Sequence, residues 1–313
     1  MTQIFSGYTA EDVVRHQTDG HRKRYDSQGR AGAQCSLWWR NPPTLKDQRL
    51  GVIGHYSAGS DEAAAELLEE VCGELAAQGC TLAVGPMDGC TWRRYRLVTG
   101  MGREPHFFLE PRNPPEWPMH FERAGFRPLA HYYSSLVNHL DHEDAKAASA
   151  EKRMSNLGIE LRPLDPTRIN EELKSVYQLV LSSFQNGFLF QPLPEDKFLA
   201  EYHQLQPHVR PELAMIATHL GQPVGFVFSI PDLEEAHRGE TIQTVILKTL
   251  AVVPDRRYAG LGRLMTQQTH RNARQLGYRR VIHALMHESN TSFNISARYG
   301  QPFRRYTLFA KPL

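Results

Sequence analysis

The chain has 313 residues, and at roughly 150 residues per domain that length points to two domains. It is 41% hydrophobic, 22% charged and 10% aromatic, the usage of a chain that buries a sizeable core, so disorder and coiled coil are excluded as global descriptions. Thirty-six Lys and Arg against 34 Asp and Glu leave a formal charge of +2, too weak a field to argue for nucleic acid or membrane as a partner.

The start, Met1 to Ala10, lacks the basic and apolar regions of a signal peptide, and no stretch approaches the roughly 18 apolar residues of a membrane span, so a cytoplasmic protein is expected. The leading segment, to about residue 30, shows no clear period, and its basic run His21-Arg-Lys-Arg24 reads as a solvated arm. Leu50 to Tyr56 reads as an apolar strand. From Ser60 to Gly79, the positions Ala64, Leu67, Leu68, Val71, Cys72 and Leu75 follow helical spacing, with Ser60 as N-cap and Asp61 and Glu62 suited to the positive helix start. Gly79 ends this helix, and Cys80 to Gly85 reads as a short buried strand. The four cysteines, Cys35, Cys72, Cys80 and Cys90, show no C-x-x-C pairing, so neither a metal site nor a disulfide is expected.

Gly85 to Arg96 and Phe107 to Trp117 are polar, aromatic loops dense in turn residues, suited either to shaping a substrate or to turn structure alone. His139 to Arg153, polar and alternating in charge, reads as a linker or connecting helix. The second half then repeats the first. Ile242 to Val253 reads as a strand, Gly262 to Gln275 as a helix ended by Leu276-Gly277, and Arg280 to Met286 as the following strand. Phe121 to Tyr132 resembles Ser296 to Tyr306, each a helix end, a glycine turn and a final strand. The expected fold class is therefore α/β with a mixed sheet in two similar domains, 1–150 and 151–313.

Chemistry concentrates between Thr249 and Met265, where an apolar strand passes through a proline and basic residues into a glycine turn that opens a helix. The first turn of a helix has N–H groups without intrahelical partners, and with the positive end of the macrodipole these suit phosphate oxygens. A Walker loop requires G-K-[ST], but Arg263 and Leu264 follow Gly262; a dinucleotide fingerprint requires a third glycine where Met265 stands. What remains is R-x-x-G-x-G, Arg257 to Gly262. The absence of G-x-S-x-G, H-E-x-x-H and paired cysteine ligands removes hydrolase and metalloenzyme readings.

This pattern resembles the acyl-CoA loop of the GNAT superfamily of N-acetyltransferases, and the likeness extends over Gly158 to Leu313. Gly158 to Arg162 looks like the family's first strand, Glu171 to Ser183 its first helix, Leu213 to Thr218 with Pro223 to Phe228 its central hairpin, and Leu285 to Asn290 the end of its fifth strand. The resemblance implies acetyl-CoA as co-substrate, with the pantetheine arm along the backbone of Leu250, Ala251 and Val252. It places the pyrophosphate on Arg257, Tyr258, Ala259, Gly260, Leu261 and Gly262, with charge from Arg257 or Arg263, and a cofactor-side Asn at Asn290 whose plain alternative is an N-cap. It implies Tyr299 as the acid near the sulfur, with Ser296 or a water as substitutes. By position, Glu288 or His287 would accept the substrate proton, although His287 is expected to be a buried, satisfied histidine. Gly54 to Ser60 has neither the basic residue nor the paired glycines, so Ser36 to Asn138 reads as a degenerate copy. The implied activity is acetyl transfer to the primary amine of a small molecule or peptide. The alternatives are a non-catalytic acyl-CoA-binding protein and a Fem-type aminoacyl transferase, and the intact loop argues against the latter.

Overall fold

The computed structural model describes residues 8–25 and 31–313. Among these, the first half forms α1 (Ala10–Arg15), β1 (Gly20–Tyr25), β2 (Ala31–Trp38), β3 (Leu50–Ala58), α2 (Asp61–Ala77), β4 (Leu82–Gly85), β5 (Leu97–Gly100), α3 (Trp117–Arg123) and β6 (Arg127–Val137). After a connecting helix α4 (Ala145–Asn156), the second half forms β7 (Glu160–Pro163), α5 (Ile169–Phe184), α6 (Glu195–His203), β8 (Ala214–His219) and β9 (Gln222–Pro231). It continues with α7 (Leu233–His237), β10 (Thr244–Val252), α8 (Leu261–Gln275), β11 (Arg280–His287), α9 (Thr291–Ser296) and β12 (Gln301–Pro312). None of the described helices is long and apolar enough to cross a membrane.

The predicted strand, helix, strand units are present in both halves. The six apolar positions read for α2 are its buried face, and Ser60 caps it by accepting a hydrogen bond from the Ala63 amide at 3.2 Å. The basic run departs from the expected solvated arm. His21 to Arg24 lie in an edge strand, because β1 pairs antiparallel with β2 and so satisfies its ladder, while Arg22 and Arg24 reach Glu74 and Glu70 of α2 at 2.6 and 2.7 Å. Residues 1–7 and 26–30 of that expectation lie outside the described residues. The predicted linker forms α4, which buries Ala147, Ala150 and Met154 and ties itself to α8 through Asp144–Arg263 at 2.9 Å and Glu151–Arg271 at 3.3 Å.

All strands join one sheet in the order β1-β2-β3-β4-β12-β6-β11-β10-β9-β8-β7, with β5 also on β12. The final strands of the two halves are exchanged. β6 pairs with β11 of the second half, and β12 pairs with β4 and β5 of the first, while β6 and β12 run antiparallel to each other from Gln301↔Leu136 to Ala310↔Arg127. A cut at residue 150 divides the chain but leaves each half holding the other's last strand. Under the first half, Tyr56, Leu67, Phe121 and Phe126 form one core; under the second, Val245, Leu264, Met265 and Val281 form another.

Candidate active site

β10 and β11 run parallel and in register from Thr244↔Arg280 to Leu247↔His283, and the pairing ends there although both strands continue. β10 stays bound to β9 through Leu250↔Val227, Ala251↔Phe226 and Val252↔Gly225, with Lys248 as the extra residue of a bulge between Leu247 and Thr249. β11 stays bound to β6 through Met286↔Tyr133 and His287↔Tyr132, after a register shift that contains Leu285 at φ 60°. The strands therefore part into a wedge. A groove of about 170 Å³ fills it, lined by Leu250, Thr266, His283, Met286, Ser292 and Ile295 among others. Leu250, Ala251 and Val252, expected to offer backbone there, have β9 on one side and, among the described residues, no strand on the other.

Past Val252 the chain makes a short 3-10 turn, Arg256–Tyr258, and reaches Gly260 at φ 91°, a left-handed conformation that glycine adopts without steric cost. Gly260 is the N-cap of α8 and supplies no side-chain cap, and no acidic residue occupies the first helical turn. The helix start thus presents amides and its positive dipole end. Gly262 sits beside the wedge with Leu250, Ile295 and Val252 side chains 3.6 to 3.7 Å from where a Cβ would be. Tyr258 is buried and its hydroxyl bonds His219 Nδ1 at 2.9 Å, while Ala259 is exposed and Leu261 buried. Arg257 is 64% exposed and paired with Asp255 at 2.7 Å. Arg263 is spent on Asp144. The Arg153 guanidinium of α4 lies 3.3 Å from the Cβ position of Gly260, a cation beside this loop that sequence reasoning placed in a linker.

The groove opens into a second cavity of about 760 Å³ between the two halves, and Trp92, Tyr202, Lys248, Thr249, Leu285 and Asn290 line both spaces. The first half contributes Thr91 to Arg96, Leu109 to Arg112 and Tyr132; the second contributes Phe184, Phe188, Phe190 and Leu205 among others. These are the two turn-rich loops singled out in the sequence. Three charges on the wall are already paired. Arg94 meets Asp88 at 3.4 Å, Arg112 meets Glu234 at 2.7 Å, and Glu110 receives Arg304 at 2.7 Å and the Tyr306 hydroxyl at 2.6 Å.

Three wall cations have no carboxylate partner among the described residues: Arg93, which donates to the backbone carbonyls of His16 and Asp88 at 3.4 and 3.2 Å, and the two that remain, Arg96 and Lys248. Arg96 is 6% exposed, lies over the rings of Tyr95 and Tyr132 at 3.9 and 4.2 Å, and has an unpartnered buried Nε. Lys248 makes no hydrogen bond to a described residue, and burial, with Arg96 nearby, pushes its ammonium down to about 8. Neither was singled out from the sequence. The available signal for Lys248 was a single cation inside the apolar run Thr244 to Val252.

Asn290 stands at the N-cap position of α9 without making the cap hydrogen bond, which leaves its side chain at the junction of both spaces. Tyr299 and Glu288 are not brought there. The Tyr299 hydroxyl donates to Asp144 Oδ2 at 3.0 Å, behind α8, and burial together with that carboxylate pushes the phenol above its ordinary value. Exposed Glu288 accepts from the His131 amide at 3.0 Å. Ser296 is buried against His283 Nδ1 at 2.8 Å, and His283 in turn meets His270 at 2.8 Å. His287 lines the larger cavity half-buried rather than sealed in the core. Its Nδ1 accepts from the Ser289 amide at 3.1 Å, which leaves the proton of the neutral ring on a buried, unpartnered Nε2.

No protein-family model matches the sequence, and no curated protein matches it significantly. Solved structures do. A GCN5-related glucosamine N-acetyltransferase region of a fungal multi-domain GH3 β-N-acetylglucosaminidase is 14% identical with a TM-score of 0.55, covering 96% of this chain and 34% of that one, so this chain spans about a third of that protein's length. A GCN5-related N-acetyltransferase from Sphaerobacter thermophilus is 14% identical at a TM-score of 0.52, covering 97% and 85% of the two chains. A tandem GNAT protein from the clavulanic acid biosynthesis pathway is 12% identical at 0.50, covering 96% and 86%. At such identities the likeness is one of fold, and the fold is the tandem GNAT fold: two GNAT-like modules in one chain, as the motif resemblance implied.

Proposed function

We propose that the protein is an N-acetyltransferase that moves an acetyl group from acetyl-CoA to a primary amine held in the cavity between its halves. The observation that carries this reading is the parting of β10 from β11 after Leu247/His283, which opens a groove leading from the uncapped start of α8 to the larger cavity. In this reading residues 151–313 bind the acetyl donor and residues 1–150 shape the acceptor site. The amides from Gly260 to Arg263 receive pyrophosphate oxygens, those of Tyr258 and Ala259, also expected there, being spent inside the 3-10 turn on the Asp255 and Arg256 carbonyls at 3.0 and 3.2 Å; Arg257 adds charge, Leu250 to Val252 offer backbone to the pantetheine arm, and Asn290 faces the donor at the junction. The thioester then meets the acceptor at Lys248 and Thr249. The neutral amine nitrogen attacks the carbonyl carbon and forms the C–N bond, the C–S bond breaks, and the proton that the nitrogen loses is balanced by the one that the departing thiolate takes up. Positioning and backbone donors supply most of the rate in this scheme, since the sequence-derived acid and base, Tyr299 and Glu288, lie off the groove.

Calorimetry with acetyl-CoA tests the reading. Native protein should bind, and both Arg257→Glu and the double variant Gly260→Asp/Gly262→Asp should lose binding while keeping a native circular dichroism spectrum. Absence of binding to folded native protein defeats the proposal. The positions of Tyr299 and Glu288 favour a second reading, a non-catalytic acyl-CoA-binding protein, which amine-dependent release of free CoA thiol would remove.

A further inference from the structure

We propose that Arg96 and Lys248 form an oxyanion-binding site in the inter-half cavity, so that the acceptor amine also carries a carboxylate or phosphate group. The inference rests on acetyl transfer for the word acceptor, and on the cavity alone for the anion. A buried guanidinium is costly unless a counter-charge meets it. Arg96 has π faces of Tyr95 and Tyr132 against it and gives Nη1 to the Tyr95 hydroxyl at 2.5 Å, yet its Nε finds no acceptor and no carboxylate reaches it among the described residues. Its backbone is held at φ 66°, with its amide donating to the Pro86 carbonyl at 2.8 Å, so the residue is placed by the first half independently of its charge.

Lys248 arrives from the other half on the bulge of β10 and faces the same space. Two like charges brought together without a carboxylate between them repel, and a ligand oxyanion relieves both. The remaining charges on the wall do not serve. Arg94 and Arg112 are neutralised, Glu110 is enclosed by Arg304 and Tyr306, Arg93 donates to the backbone carbonyls of His16 and Asp88, and Glu201 is an exposed acid at the rim. The aromatic walls, Trp92, Phe188 and Phe190 among them, suit a flat or apolar body attached to the anion.

The probes are benzoate, phenyl phosphate and benzyl alcohol, titrated into the full chain by calorimetry or ligand-observed NMR, with the variants Arg96→Met and Lys248→Met checked for folding by thermal melting. Lys248→Met keeps the length and apolar stem of the side chain, so the test survives if Arg96→Met fails to fold. Expected is binding of benzoate or phenyl phosphate at least tenfold tighter than benzyl alcohol, falling at least tenfold in each folded variant; which of the two anions binds tighter separates a carboxylate from a phosphate acceptor. Binding of benzyl alcohol equal to the anions, anion binding that survives both substitutions, or no anion binding at all overturns the proposal. Acetyl-CoA titrated into the same samples keeps the two readings apart. Anion binding without acetyl-CoA binding leaves the oxyanion site standing and removes acetyl transfer, and the reverse result removes only the oxyanion site.

Discussion

Each half contains a pair of parallel strands that parts toward the start of a helix, and only one of the two wedges is open. In the second half β10 and β11 separate after Leu247/His283 and leave the groove. In the first half β3 and β4 pair from Leu50↔Leu82 to Val52↔Val84, after which the chain beyond β4 folds back into the gap. There the Met87 amide donates to the Ile53 carbonyl at 2.8 Å and the Asp88 carboxylate accepts from the His55 amide at 2.6 Å. The helix starts differ in the same sense. Ser60 caps α2, and Asp61 and Glu62 add negative charge, whereas α8 begins with an uncapped glycine and no acid. An anion is repelled from one start and drawn to the other. The lesson is that filling the wedge and capping the helix remove an anion-attracting groove while the fold is left intact.

The comparison can be broken at several points. Gly260→Asp/Gly262→Asp gives α8 the acidic start of α2, and acetyl-CoA affinity should fall about 100-fold or more, roughly 3 kcal/mol, by calorimetry. Gly54→Ala tests the plug. A Cβ at Gly54 would stand 1.9 Å from the Met87 carbonyl oxygen, and overpacking of this kind costs about 1–3 kcal/mol. Its melting temperature should therefore drop by several degrees, while Gly262→Ala, whose nearest neighbour is 3.6 Å away, melts like the native protein.

Benzoate affinity provides a pH test of the open side. Lys248, held down to about 8 by burial and by Arg96, is charged below that pH and neutral above it. Affinity should be constant below about pH 8 and then fall by up to tenfold per unit; a flat profile to pH 9.5 removes Lys248 from the anion site. The smallest effect belongs to Ser60→Ala. Loss of the cap costs about 1 kcal/mol of stability in thermal melts, with acetyl-CoA binding unaltered because the proposed donor site lies at α8 and not at the capped helix.

The open wedge was legible in the sequence because its parts are local. Val253-Pro254, Arg257, Gly260 and Gly262 follow one another along the chain, and a glycine opening a helix carries its meaning in the spacing. That the first half has no paired-glycine helix start was legible in Gly54 to Ser60, but the plug was not, since Met87 reaches Gly54 from 33 positions away in the chain. Tyr299 shows the limit of carrying a role by position. Helix α9 ends at Ser296 and the chain then turns behind α8, so the phenol meets Asp144 of the segment before α4, a contact across 155 residues that no local pattern encodes. Arg96 sat in a loop read correctly as aromatic and polar. Its isolation from carboxylates becomes visible only when Lys248 is brought opposite it.

The exchange of β6 and β12 orders events in time as well as in space. During synthesis the first half emerges with α2, α3 and strands β1 to β5, but the strand that lies against β4 and β5 is encoded at residues 301–312. Its sheet stays unfinished, with the edge of β4 bare, until residues 301–312 have left the ribosome. The first half is thus completed last, by a strand that the second half delivers.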